Sequence, residues 1–93
     1  MTTEEELLII LMEECAEVTQ QASKILRFGK APPTQSEKAL AKELGDLFCM
    51  IELLEEYGTV SRVAVDENAV HKREKLKKWS NLPLKLLDPD GSV

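Results

Sequence analysis

Four acidic side chains form two pairs with the same spacing, and no other residues in this chain are better suited to chemistry. Glu14 and Glu17 interrupt one apolar stretch, and Glu43 and Asp46 interrupt the next. Side chains three residues apart are neighbours on a helix, so each pair would present two carboxylates together. Carboxylates gathered without compensation repel one another, and a divalent cation is their expected partner.

The phase of the first helix favours Glu14 and Glu17 as inward residues. At about 100° of rotation per residue, one apolar stripe collects five side chains. These are Leu7, Leu11, Val18, Ala22 and Ile25. Glu14 falls in or beside this stripe and Glu17 lies at its margin, whereas Glu13 is roughly 100° further from the centre than Glu14.

The second helix repeats this arrangement. Its predicted inward stripe is Leu40, Leu44, Leu47, Ile51, Leu54 and Tyr57. Glu43 lies about 60° from the centre of that stripe, and Asp46 flanks it beside Met50 and Leu53. Acidic pairs are also common on solvated helix faces, but two pairs that both break apolar stripes favour a shared acidic site.

The ligand types indicate the metal and the reaction. Oxygen ligands without histidine or cysteine suit Mg²⁺, with Mn²⁺ as a substitute, better than zinc. A di-iron site would need Glu-x-x-His pairs, and the only histidine, His71, lies on neither acidic helix. Because Mg²⁺ usually takes substrate phosphates among its ligands, phosphoanhydride hydrolysis is the expected reaction class. No glycine-rich phosphate-binding loop is present.

Helix start signals precede both acidic segments. Thr3 with Glu6, and Thr34 with Glu37, have the spacing of capping boxes. We therefore predict that the first helix begins after Thr3 and that Thr34 caps the second.

Glycines mark the predicted helix ends. The first helix should end near Phe28 with Gly29 as a left-handed stop, and the second near Tyr57 with Gly58. Thr59 or Ser61 can cap a third helix. Its stripe, only partly apolar, consists of Val65, Ala69, Lys72, Leu76 and Trp79. We interpret Trp79 as a packing anchor rather than a surface for base stacking.

These features predict an all-α fold: a compact helical hairpin plus a third helix, completed into a helical bundle by oligomerisation. A chain of 93 residues buries a smaller fraction of its surface than a typical 150-residue domain does, which favours association into a homodimer or homotetramer. We predict one domain over residues 1–79. Residues 80–93 are predicted to form a tail that packs on the body or on a neighbouring subunit.

The charge distribution indicates which kinds of partner the protein is suited to bind. The net charge is −5, residues 1–60 carry twelve acidic residues and five Lys or Arg, and residues 61–93 carry five acidic and seven basic residues. This acidic balance argues against general nucleic-acid binding. We expect no signal peptide, no membrane span and a cytoplasmic location, with Cys15 and Cys49 as reduced thiols.

The paired acids resemble the signature of a known family. Glu13-Glu14-x-x-Glu17, then twenty-five residues, then Glu43-x-x-Asp46 is similar to the EExxE and ExxD motifs of the all-α nucleoside triphosphate pyrophosphohydrolases, of MazG and dimeric dUTPase type. The resemblance covers about residues 4–79. It implies that Glu14, Glu17, Glu43 and Asp46 coordinate Mg²⁺ and form the catalytic site, while Glu13 orients a ligand or stays solvated.

The resemblance also implies residues that bind substrate. Family members use an Asn followed by basic residues on a later helix, and Asn68, Lys72 and Arg73 match this pattern approximately. Arg27 is a further candidate for phosphate contact. The alternative for these cations is complementing helix dipoles.

The function predicted from the sequence is Mg²⁺-dependent hydrolysis of an NTP or dNTP to the monophosphate and pyrophosphate, for pool control or housecleaning. Phosphoribosyl-ATP pyrophosphohydrolases resemble this chain less, because they typically follow the Glu-x-x-Asp motif with Leu-Tyr-His where this chain has Leu47-Phe48-Cys49. The alternatives are a helical interaction module without catalysis and a nucleotide-binding sensor.

Overall fold

Three α-helices make up the regular structure of the described residues in the computed structural model, which are 1–29 and 33–84. They are α1 (Thr3–Phe28), α2 (Pro33–Glu56) and α3 (Arg62–Trp79). The all-α class predicted from the sequence is thereby confirmed. None of these helices combines the length and apolar composition needed to cross a membrane.

The start of α1 is a capping box one residue earlier than predicted. The Thr2 hydroxyl accepts from the Glu5 backbone N–H at 3.1 Å, and the Thr2 N–H donates to Glu5 Oε1 at 2.8 Å. The prediction that Thr3 and Glu6 form this box is wrong. Both pairs have the spacing that a capping box needs, so the sequence offers two registers.

The start of α2 also differs from the prediction. The helix begins at Pro33, so Thr34 lies inside it and is not the residue that precedes it. Proline suits the first helical turn, because its fixed φ is helical and its missing N–H would have no partner there. The predicted Ser61 cap of α3 is confirmed, since Ser61 Oγ accepts from the Ala64 N–H at 3.3 Å.

Two glycines with positive φ end the first two helices. Gly29 and Gly58 both have a φ of 76°. Gly29 is not left-handed helical as predicted, because its ψ is −179°. After α2, the Thr59 N–H donates to Leu54 O at 2.8 Å, the six-residue bond of a Schellman ending.

Residues 1–60 and residues 61–93 form two compact units, and α3 belongs to the second. In the first unit, α1 and α2 pack against each other around a small core of Leu7, Met50 and Leu54. Around this core lie four partly buried side chains, Ile10, Leu11, Leu53 and Val60. Each fully buried side chain of this size contributes roughly 1.5–3 kcal/mol.

The buried face of α2 differs from the predicted stripe. Leu44 and Tyr57, predicted to point inward, are 46% and 62% exposed, whereas Met50 is 5% exposed. Leu44 lies about 100° around the helix from Glu43, and Met50 only about 20°. Because α2 carries apolar residues on more than one face, its sequence did not determine which face would be buried.

The side chain of α3 that was predicted to anchor the packing of this helix, Trp79, is exposed to solvent. Trp79 is 83% exposed, so its predicted packing role is wrong for the single chain. Val65 and Leu76 are partly buried. Residues 85–93, which make up most of the predicted tail, lie outside the described part of the chain.

Candidate metal centre

The groove between α1 and α2 brings the two acidic pairs together. One carboxylate oxygen from each of Glu14, Glu17, Glu43 and Asp46 lies within 4.8 Å of the others. Two turns of adjacent helices that face each other produce this convergence, because each pair has helical three-residue spacing. The sequence had assigned Glu43 to the side of the apolar stripe. The structure places it at the centre of the buried face, 8% exposed.

Two of these carboxylates have buried oxygens that lack a hydrogen-bond donor. Oε2 of Glu14 and Oε2 of Glu43 are buried and accept no hydrogen bond from the described residues. A buried carboxylate oxygen without a partner costs free energy. A cation among the four side chains would remove this cost, so the donor set fits a bound metal ion.

Mutual repulsion is visible in the protonation of Glu17. The pKa of Glu17 is raised, first by the hydrogen bond that its protonated form makes with Glu43, then by the charges of Glu43 and Glu14. The charge of Lys42 lowers the same pKa, but by less than the carboxylates raise it. The cluster therefore holds more negative charge than its own cations balance.

Lys42 is a basic residue at this cluster that the sequence analysis missed. Its Nζ lies 3.1 Å from Asp46 Oδ2 and 3.5 Å from Glu43 Oε1. The hydrogen bond and the charge of Asp46, followed by those of Glu43, raise the pKa of Lys42. The four-residue spacing of Lys42 and Asp46 is the signal that could have identified the pair.

Glu13 lies outside the cluster on an exposed position of α1. Adjacent residues on a helix point about 100° apart, so Glu13 and Glu14 cannot both face α2. This placement agrees with the phase argument that separates these neighbours.

A cavity continues the same groove towards the end of the hairpin. Its volume is about 380 Å³, and its lining includes Gln21, Lys24, Phe28 and Ser36. Gln21 follows Glu17 by one helical turn on α1, so the cavity begins next to the acidic cluster. The wall offers amide, hydroxyl and ammonium groups beside an aromatic ring.

Arg27 is not part of the acidic cluster. It lies ten residues after Glu17, about 15 Å along the axis of α1. Its guanidinium carbon is 5.1 Å from the centroid of the Phe28 ring. Contact between Arg27 and substrate remains a prediction.

The predicted substrate-binding residues of α3 are all exposed. The Asn68 amide donates to Ala64 O of its own helix at 2.7 Å, and Lys72 lies one turn further along. Arg73 points about 100° away from Lys72. Their roles remain predictions.

A comparison with protein families decides the identity of the domain. The model of the MazG nucleotide pyrophosphohydrolase domain matches residues 2–79. The chain belongs to this family. Both acidic pairs of this MazG chain lie within the matched range. The whole of α3, which ends at Trp79, lies within it as well. No curated protein and no solved structure gives a significant match.

Proposed function

We propose that this MazG chain is a Mg²⁺-dependent nucleoside triphosphate pyrophosphohydrolase, which converts an NTP or dNTP to the monophosphate and pyrophosphate. The observation that carries the proposal is the convergence of Glu14, Glu17, Glu43 and Asp46 within 4.8 Å. Membership of the MazG nucleotide pyrophosphohydrolase family supports the reaction class.

The four carboxylates are the residues that would hold the metal. They supply only oxygen ligands, the type that Mg²⁺ prefers and Mn²⁺ accepts. Bound Mg²⁺ would neutralise phosphate charge and lower the pKa of a water molecule. The buried oxygens of Glu14 and Glu43 that lack donors support this assignment.

Glu17 is the proposed proton acceptor. In the metal-free protein the pKa of Glu17 is raised, first by the hydrogen bond with Glu43 and then by the charges of Glu43 and Glu14, so it holds a proton more readily than an ordinary glutamate does. Water would attack the α-phosphorus, forming a new P–O bond as the bond from that phosphorus to the bridging oxygen breaks. Pyrophosphate then leaves with the electron pair of the broken bond, and Glu17 takes the proton of the water.

The remainder of the nucleotide would occupy the cavity next to the cluster. A volume of about 380 Å³ lies within the range of small-molecule sites. Polar groups of Gln21 and Lys24, together with the Phe28 ring, supply hydrogen bonding and an apolar surface.

We propose that basic residues outside the acidic cluster contact the phosphate oxygens of the nucleotide. Lys72 and Arg73, with Asn68 one turn before Lys72, are the candidates on α3, and Arg27 is the candidate on α1. Charge-assisted contacts of this kind neutralise the charge that develops as the bond breaks.

We also propose a homodimer or homotetramer. Among the residues of the first unit whose burial is described, only three apolar side chains are buried, while Leu8, Met12 and Leu26 of α1 are 39%, 64% and 87% exposed. A second copy that covers this outer face would bury the apolar area that one chain leaves in water.

We propose a cytoplasmic location as well. The two exposed free thiols, Cys15 and Cys49, suit that reducing compartment.

The decisive experiment measures pyrophosphate release from ordinary and modified ribo- and deoxynucleoside triphosphates, with Mg²⁺ or with EDTA. Wild type is compared with Glu43→Gln and Asp46→Asn, which remove one ligand charge each. We expect either substitution to lower kcat by about a hundredfold or more. Glu52→Gln, which changes an exposed acid on the same helix, is the matched control and should retain activity.

The outcomes separate the proposal from its alternatives. Metal-dependent release that Glu52→Gln retains and both site variants lose would support hydrolysis and reveal the base preference. Absence of release from every triphosphate would contradict it. A shift in melting temperature with Mg²⁺ and nucleotide would then favour a nucleotide sensor, and no shift would favour an interaction module.

A further inference from the structure

Lys42 lies at the solvent edge of the acidic cluster and reaches into it. Its side chain is 69% exposed, whereas that of Glu43, its nearest neighbour in sequence, is 11% exposed. The ammonium contacts Asp46 Oδ2 at 3.1 Å and Glu43 Oε1 at 3.5 Å. One lysine thus pairs with a carboxylate from each end of the second acidic motif.

These two carboxylates are also proposed metal ligands, so Lys42 and a divalent cation compete for them. One oxygen from each of the four carboxylates lies within 4.8 Å of the others, and the ammonium lies 3.1 and 3.5 Å from oxygens of two of these side chains, so a metal ion held by the cluster would lie close to the ammonium. Two cations at this separation repel each other strongly. Binding of the metal would therefore displace the ammonium.

The displaced ammonium would remain close to the site. The lysine side chain is a flexible four-carbon stem that ends in three donors, and its backbone is fixed in α2 directly before Glu43 and one turn before Asp46. An exposed ammonium tethered at this position faces the solvent from which a nucleotide must enter. Phosphate oxygens are the anions that it would meet there.

We propose that Lys42 exchanges partners during the catalytic cycle: it neutralises Asp46 and Glu43 when the metal is absent, and it binds a phosphate of the nucleotide when the metal is present. This inference rests on the proposed function, because it assumes that the cluster binds a divalent cation. It assigns Lys42 two opposite effects, weaker binding of the free metal and tighter binding of the substrate.

The test uses Lys42→Met, which keeps most of the stem and removes the charge. Titration calorimetry with Mg²⁺ alone should give about two- to fivefold tighter binding than wild type, the size expected for loss of an exposed ion pair. Steady-state assays with saturating Mg²⁺ should give about a ten- to hundredfold higher KM for the triphosphate. Lys42→Arg should preserve much of the wild-type KM.

Lys38→Met is the matched control. Lys38 is an exposed lysine one turn before Lys42 on the same helix, and its substitution changes the net charge by the same amount. General electrostatic attraction of the nucleotide would respond equally to both variants. Only a local role for Lys42 makes its variant differ from Lys38→Met in both measurements, with circular dichroism confirming equal helix content.

Each result has a defined meaning. Tighter Mg²⁺ binding together with a raised KM, absent from Lys38→Met, supports the exchange. Unchanged or weaker Mg²⁺ binding by Lys42→Met, or an unchanged KM, overturns it while leaving the hydrolase assignment intact if wild type is active. Failure of wild type both to bind a divalent cation and to release pyrophosphate removes the proposed function and this inference together.

Discussion

The neighbouring carboxylates of the acidic cluster make Glu17 easier to protonate. Its pKa is raised from the ordinary value of 4.5 by hydrogen bonding with Glu43 and by the charges of Glu43 and Glu14. Enzymes often show such shifts where they bind cations or transfer protons. The proposed proton acceptor is therefore one of the four carboxylates that would bind the metal.

The raised pKa predicts how the stability of the metal-free protein depends on pH. The folded state binds the Glu17 proton more tightly than the unfolded chain does, so this contribution to stability is present below pH 4.5. It is lost as the pH rises through the raised pKa. We expect wild type in EDTA to lose stability relative to Glu17→Gln over this range, measured by urea unfolding at a series of pH values.

Glu13→Gln is the control for this experiment, because Glu13 is exposed and lies outside the cluster. Its pH profile should follow that of wild type. A stability difference between wild type and Glu17→Gln that is independent of pH would contradict the electrostatic explanation.

At the scale of the elements, the turn after α2 fixes the end of the helix that carries Glu43 and Asp46. Gly58 has a φ of 76°, a conformation that residues with a Cβ rarely adopt. The backbone bonds around it connect the end of α2 to residues that lead to the second unit. The glycine is therefore required for backbone geometry and not for space, because nothing lies within 4 Å of a Cβ added there.

Substitution of two glycines in this region should have opposite effects. Gly58→Ala should lower the free energy of unfolding by about 1 kcal/mol or more, because alanine is strained at positive φ. Gly45→Ala, inside α2 with nothing within 4 Å of the added Cβ, should raise it by about 0.5–1 kcal/mol. Thermal unfolding of both variants measures this contrast, and destabilisation of equal size would show that the backbone argument is wrong.

At this same scale, the helices were predictable and the registers of their ends were less so. The S/T-x-x-E spacing occurs at both Thr2 and Thr3, and local sequence does not choose between them. The buried face of α2 was also ambiguous, because Leu44 and Met50 lie on different faces and both are apolar. The contact of Lys42 with this site was not predicted, although its four-residue spacing from Asp46 is that of a helical ion pair.

At the scale of the whole molecule, exposed apolar side chains on α1 support the proposed oligomer. Leu8 and Met12 lie one turn apart on α1 and remain exposed while the core of residues 1–60 is small. A single copy of this hairpin leaves apolar area in water that association would bury. The proposed oligomer follows from this imbalance.

A charge placed on this outer face should weaken association. We expect Met12→Glu to shift the sedimentation coefficient from that of an oligomer towards that of a monomer, because burial of an unpaired carboxylate is costly. Gln20→Glu adds the same charge at another exposed position of α1 and should leave the oligomer intact. Wild type that sediments as a monomer at all concentrations would contradict the proposed association.

The sequence by itself determined the helical class and the pairing of Glu14 with Glu17 and of Glu43 with Asp46. Both depend on local periodicity, which any helix with this sequence must obey. Only the tertiary structure decided that Glu43 occupies the centre of the buried face, with Glu14 across the groove. A helix with apolar residues on several faces has several acceptable phases, and packing against a particular partner selects one of them.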